Sequence, residues 1–137
     1  MKLIACVDDN MGMMFNHRRQ SQDRVLRERV LAITTGSKLW MNHFSEKQFS
    51  QHNAPQLHVD DRFLSQAGSG EYCFVEDCDL LPFLSQVETI LLYRWNRKYP
   101  SDQIFPIDLR ADGWKLVHTE EFSGSSHEKI TEEIYTQ

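Results

Sequence analysis

The chain opens with five apolar residues in a row, Leu3-Ile4-Ala5-Cys6-Val7, and stops at Asp8-Asp9-Asn10. A short unbroken apolar run ended by turn formers predicts a strand from Lys2 to Val7, buried on both faces. The segment Met11 to Gln20 has neither strand nor helix period and reads as a loop. From Ser21 onward Val25, Leu26, Val30 and Ile33 recur at helical spacing and share one face of a wheel. This predicts a helix capped by Ser21 or Asp23 and running through Thr34, with Thr35-Gly36 as its stop. Gln22 and Arg29 fall inside the same apolar arc. If that arc is buried, Arg29 needs a carboxylate partner or an anionic ligand.

Lys38 to Met41 predicts a second strand, and Ser45 to Ser50 a short helix, with a loop from Gln51 to Pro55. Leu57-His58-Val59 is a brief strand signal. Asp60 then caps a short helix, Asp61 to Ala67, which Gly68-Ser69-Gly70 closes. Tyr72 to Val75 is again strand-like, Leu80 to Ser85 suits a helix with Pro82 in its first turn, and Thr89 to Trp95 is the longest strand signal. Trp114 to Thr119 and Lys129 to Tyr135 are two last strands across a polar loop at Ser123 to Ser126. Alternating strands and helices followed by strands alone predict an α/β fold, a layered sheet with helices on its faces and a C-terminal antiparallel hairpin. No internal repeat interrupts this order.

Composition narrows the picture. The 137 residues suit one domain, residues 1–137, with a single core. A net charge of −5 argues against a nucleic-acid partner, which calls for a basic surface. Cys6, Cys73 and Cys78 are odd in number, without CxxC or Cys/His spacing, which predicts reduced thiols and a cytoplasmic location. The N-terminus has one lysine and a brief apolar run before two aspartates, so neither a signal peptide nor a membrane association is expected.

Several motifs, in order, resemble the dihydrofolate reductase family. Leu3 to Val7 followed by Asn10-Met11-Gly12-Met13 is similar to that family's first strand and the start of its mobile active-site loop. Lys38-Leu39-Trp40-Met41-Asn42 stands where "Val-Ile-Met-Gly" would. Leu91-Leu92-Tyr93-Arg94-Trp95 and then Pro100-Ser101-Asp102-Gln103-Ile104-Phe105-Pro106 resemble a late strand and its Gly-Asp-Thr-x-Phe-Pro turn. Trp114, Glu121-Phe122, Ser126-His127 and Glu133-Ile134-Tyr135 follow the order of the C-terminal hairpin. The resemblance implies a shortened dihydrofolate reductase-like fold. It also extends to short bacterial proteins often labelled ribonuclease Z, although the His-x-His-x-Asp-His metal motif of that enzyme family is absent here.

The departures bear on function. In the family a Gly-Gly pair lets a helix N-terminus approach the pyrophosphate of NADPH. Glu76-Asp77 stands there in this chain, and two carboxylates repel a pyrophosphate. The Gly-Arg that binds the cofactor's extra phosphate reads Asn42-His43, and a strand expected between Phe49 and Leu57 is missing. Phe15 to Gln20 replaces the Leu-Pro-Trp segment, and Leu26 falls near the place of the pterin-binding acid. The resemblance therefore implies no cofactor and argues against NADPH-dependent dihydrofolate reduction.

What the resemblance leaves is a pocket between the first strand, the loop Met13 to Arg19 and the strand carrying Tyr93 and Trp95. Its candidate ligand-binding residues are Cys6, Arg18, Arg19, Gln22, Asp23, Arg29, Tyr93 and Trp95. Forked guanidinium groups suit an anion and aromatic walls suit a planar ring. The leading expectation is a non-reductase protein that binds an anionic or planar small molecule, a second copy of itself, or another protein. An enzyme with changed chemistry, such as a hydrolase or nucleotide-modifying enzyme using Asp8, Asp9 or Asp23, is the alternative, with a divergent reductase behind it. Ser126-His127 reads as hairpin chemistry rather than a nucleophile. The six histidines show no metal-ligand spacing, so no metal site is expected.

Overall fold

The computed structural model describes residues 1–111 and 113–137. Strand β1, Lys2–Val7, lies in the middle of a seven-stranded sheet. Its neighbours explain the unbroken apolar run. It pairs in parallel with β6, Tyr72–Phe74, on one side and with β7, Thr89–Arg94, on the other. Alternate residues then face opposite cores: Leu3, Ala5 and Val7 join Val75, Ile90, Leu92 and Phe63, whereas Ile4 joins Leu26, Val30, Phe74, Leu91, Tyr93 and Trp95.

Two more parallel strands, β4 (Leu39–Met41) and β5 (Leu57–Val59), continue the sheet beyond β6. Antiparallel strands β10 (Ile130–Thr136) and β9 (Lys115–Phe122) close the other side, giving the order β5-β4-β6-β1-β7-β10-β9. This is the α/β layered sheet with a C-terminal hairpin that the pattern predicts. No strand forms between Phe49 and Leu57.

Helix α1, Arg24–Ile33, buries Leu26 and Val30 against the second core, with Asp23 as its N-cap. Helix α2, His43–Phe49, starts two residues before the sequence expectation because the Asn42 side chain accepts the Ser45 N–H and caps it. Helix α3 is a single turn, Phe63–Gln66. The segment expected as a helix from Leu80 is a 3₁₀ helix, Leu81–Gln86, with Pro82 in its first turn and Asp79 accepting the Leu81 N–H. No described helix is long and apolar enough to cross a membrane.

The expected loop Met11 to Gln20 is instead a hairpin. Strand β2, Gly12–Phe15, pairs with β3, Arg18–Arg19, and on its other side with β8, Gln103–Ile104. Asn16 and His17 form its two-residue turn, with φ of 51° and 60°. Positive φ at both central positions is the turn whose twist matches a hairpin, and Asn at the first is its usual signature. Buried Asp8 anchors the hairpin, accepting N–H groups from Asn10, Gly12 and Tyr99. Gly12 fits because a Cβ there would meet Gln20 Nε2 and Ser101 Cβ at 2.6 Å.

Candidate functional site

In open α/β sheets ligands gather beyond the C-terminal ends of the parallel strands. Here β1, β4, β6 and β7 all point to one such crevice, and a closed network of side chains fills it. Arg19, on β3, forks onto Glu76 just past β6, its Nε 2.9 Å from Oε2 and its Nη2 3.1 Å from Oε1. Ser45 of α2 donates to the same Oε1 at 2.8 Å, and Arg19 also reaches the Phe44 carbonyl and covers its ring. The cavity beneath is lined by Cys6, Met13, Gln20, Ser21, Leu26, Phe74 and Trp95 among others and measures about 10 Å³. That is room for one water molecule.

Beside this bridge, a groove of about 400 Å³ runs between α2, α3 and the 3₁₀ helix. Asp61, Asp77 and Asp79 line it against a single Arg62. Asn42 donates to Asp77, and Asp61 accepts both the backbone N–H and the Nδ1 of His43. Hydrogen bonds from the His43 backbone and ring hold the Asp61 carboxyl below its ordinary value. The groove is therefore acidic at neutral pH.

A second cleft, of about 260 Å³, opens on the other side of the hairpin and is lined by Phe15, Asn16, Arg18, Arg19, Gln20, Tyr99 and Pro100. Arg18 is exposed and has no ion-pair partner among the described residues.

Behind the cleft lies a buried polar cluster. Asp23 accepts the Leu26, Ser125 and Ser126 N–H groups at 3.1, 3.1 and 2.8 Å, the Ser126 hydroxyl at 3.1 Å, and the His127 ring at 3.0 Å. Burial would push this carboxyl up, but hydrogen bonds from His127, Ser126, Ser125 and Leu26 outweigh it and hold the group far below the usual carboxylate range. Trp95 stacks on the imidazole with centroids 4.4 Å apart.

The eight candidates thus divide. Cys6, Arg19 and Trp95 meet at the small cavity, while Arg18 stands beside Arg19 on the outer cleft. Asp23 is the cap of α1 at the buried cluster, and Gln22 is exposed, accepting from Arg27. Arg29 and Tyr93 lie elsewhere, where Arg29 donates to Glu132 at 2.8 and 3.1 Å and to Glu120 at 2.6 Å, and the Tyr93 hydroxyl donates to Glu132. The partner that Arg29 needs is carboxylate from β9 and β10. The Arg29 guanidinium spans Glu120 and Glu132 where these and His118 come close enough to hold a cation.

All three thiols are held protonated at neutral pH. Burial, then the charges of Glu76 and Asp23, push Cys6 well up, and burial pushes Cys73 and Cys78 up to about 12. Ser21, Gln20, Ser45, Tyr99 and His127 complete these sites without having been singled out as ligand residues. His127 lies more than a hundred residues from Ser21 and Asp23, so no local spacing connects them.

The fold is similar to that of dihydrofolate reductase from Enterococcus faecalis, solved in complex with NADP(H) and RAB-propyl. The TM-score is 0.69 at 11% sequence identity, covering 98% of this chain and 94% of that one. The likeness establishes a dihydrofolate reductase-like fold and nothing finer. No known protein family and no curated protein matches the sequence.

Proposed function

We propose that this chain is a non-reductase ligand-binding protein on a dihydrofolate reductase-like fold, taking a small anionic, planar molecule at the outer face of the hairpin. The observation that carries this reading is the Arg19–Glu76–Ser45 network, which fills the strand-end crevice and leaves about 10 Å³ beneath it. A nicotinamide or pterin ring cannot enter so small a space. The acidic groove next to it, with Asp61, Asp77 and Asp79, repels the pyrophosphate that the family's cofactor carries.

The cleft beside Arg18 offers the opposite chemistry. An unpaired guanidinium fixes a carboxylate or phosphate bidentately, while Phe15 and Tyr99 supply aromatic walls. Its volume of about 260 Å³ lies just under the roughly 300 Å³ at which small-ligand pockets begin. Three unpaired thiols suit a cytoplasmic setting.

The test is a titration with salicylate, pyridoxal 5′-phosphate and AMP, followed by amide NMR shifts. At least one should saturate at Phe15 to Gln20, and Arg18→Ala should weaken it tenfold or more while Arg62→Ala leaves it unchanged. Absence of binding, or binding indifferent to Arg18→Ala, contradicts the reading.

A second reading, a protein partner or a second copy, is favoured by edge strand β9, where Leu116 and Val117 are 50% and 58% exposed. Light scattering across a concentration series tests self-association, and a monomer at every concentration removes the second copy.

A further inference from the structure

The buried cluster behind the cleft has a geometry that neither a helix cap nor a ligand site requires. His127 Nδ1 lies 3.0 Å from Asp23 Oδ2, and its Nε2 lies 2.9 Å from the Ser21 hydroxyl oxygen. A carboxylate only accepts, so Nδ1 carries the ring proton and donates it to Asp23. The lone pair of Nε2 is thereby aimed at Ser21, with the Tyr99 hydroxyl at 3.3 Å as a second neighbour. The stacked Trp95 ring and the Ser126 hydroxyl, 3.2 Å from Nδ1, fix the plane of the imidazole.

Burial grades along the chain of groups: Asp23 and His127 are enclosed, whereas Ser21 is half-buried. Capping α1 takes one carboxylate and one backbone N–H. It does not take an enclosed imidazole that joins that carboxylate to the hydroxyl of a half-buried serine. Ser21 and Gln20 also share the small cavity, and Gln20 Oε1 there is a buried acceptor with no partner among the described residues.

We propose that Ser21, His127 and Asp23 form an acyl-transfer centre that hydrolyses a small ester bearing an anionic group. The anionic part of this proposal rests on the cleft reading above, with Arg18 holding the carboxylate. In the first step the Ser21 oxygen bonds to the ester carbonyl carbon while its proton passes to His127 Nε2. The bond from that carbon to the alcohol oxygen breaks, and the leaving alkoxide takes the proton from Nε2. Water then gives a proton to Nε2 as its oxygen bonds to the acyl carbon. The Ser21 oxygen leaves and recovers that proton, and the products are a carboxylic acid and an alcohol. Asp23 acts through His127 and is a positioning residue.

The test starts with a neutral ethyl fluorophosphonate probe on the full chain, read by intact mass and peptide mapping. One adduct on Ser21 is expected, absent in Ser21→Ala, at least a hundredfold slower in His127→Gln, and unchanged in the remote Ser50→Ala. Far-UV circular dichroism and thermal melts confirm that each variant is folded. No adduct on the folded wild type, an adduct elsewhere, or a rate indifferent to His127→Gln overturns the proposal.

Esters separate it from the cleft reading. If 4-nitrophenyl acetate and mono-4-nitrophenyl succinate both turn over through Ser21, and Arg18→Ala raises KM for the succinate alone, both hold. Turnover that needs Ser21 and ignores Arg18 keeps the catalytic centre and sinks the anionic substrate. Succinate ester that binds through Arg18 without turnover sinks the catalytic centre and keeps the cleft.

Discussion

Of the buried carboxylates Asp8, Asp23, Glu76 and Glu132, Asp23 and Glu132 are each matched by hydrogen bonds that favour the ionised form. Glu132 is 3% exposed. Burial would raise its carboxyl, but Arg29, Tyr93 and His118 outweigh that and lower it, and the balance at Asp23 has the same sign. A carboxyl lower in the folded than in the unfolded state adds stability above its unfolded value, near pH 4 for Asp and Glu, and loses it as pH falls through the folded value. Stability should therefore fall steadily below about pH 5. Urea melts of Asp23→Asn and Glu132→Gln at pH 7 and pH 2 should show losses of about 2–3 kcal/mol at neutral pH, shrinking at pH 2. Arg29→Leu, which strands Glu132, should cost about 3 kcal/mol at pH 7. Equal losses at both pH values would show that the charge on these carboxylates contributes little.

At the scale of elements, the hairpin β2–β3 replaces what its sequence suggests is a loose loop. Met13 and Met14 are both buried while Phe15 and His17 are exposed, so no alternation shows, and four residues are too few to establish a period. Asn16-His17 lacks the glycine that marks such turns, so nothing in the segment signals a turn that is nonetheless regular. His17→Gly should relieve the positive φ and stabilise the protein by about 0.5–1 kcal/mol, read as a higher denaturation midpoint. A loss of stability there would show that the side chain matters more than the turn. The strand-end bridge makes the opposite prediction. Glu76→Ala leaves Arg19 and Ser45 without their acceptor and should cost about 2 kcal/mol, allowing for the partial exposure of Arg19. It should not admit NADPH, because Asp61, Asp77 and Asp79 remain.

For the whole molecule, the order of the long elements was legible because burial on one face or two leaves a clear pattern: the run Leu3 to Val7, the arc Leu26 to Ile33, and the strand from Thr89 onward. The carboxylate pair Glu76-Asp77 at the end of a strand was legible too, and Glu76 bonds Arg19 there while Asp77 lines the acidic groove. The site was legible only in part. Arg29 announced its need for a partner, but nothing near it in the sequence could say that Glu132 on the last strand would supply one. The cluster of Ser21, Asp23 and His127 joins the start of α1 to the β9–β10 loop, and contacts across such separations are set by sheet order rather than by spacing. The most direct test of the account is a calorimetric titration of the protein with NADPH. The account predicts no saturable binding up to millimolar cofactor, and a micromolar dissociation constant would contradict it.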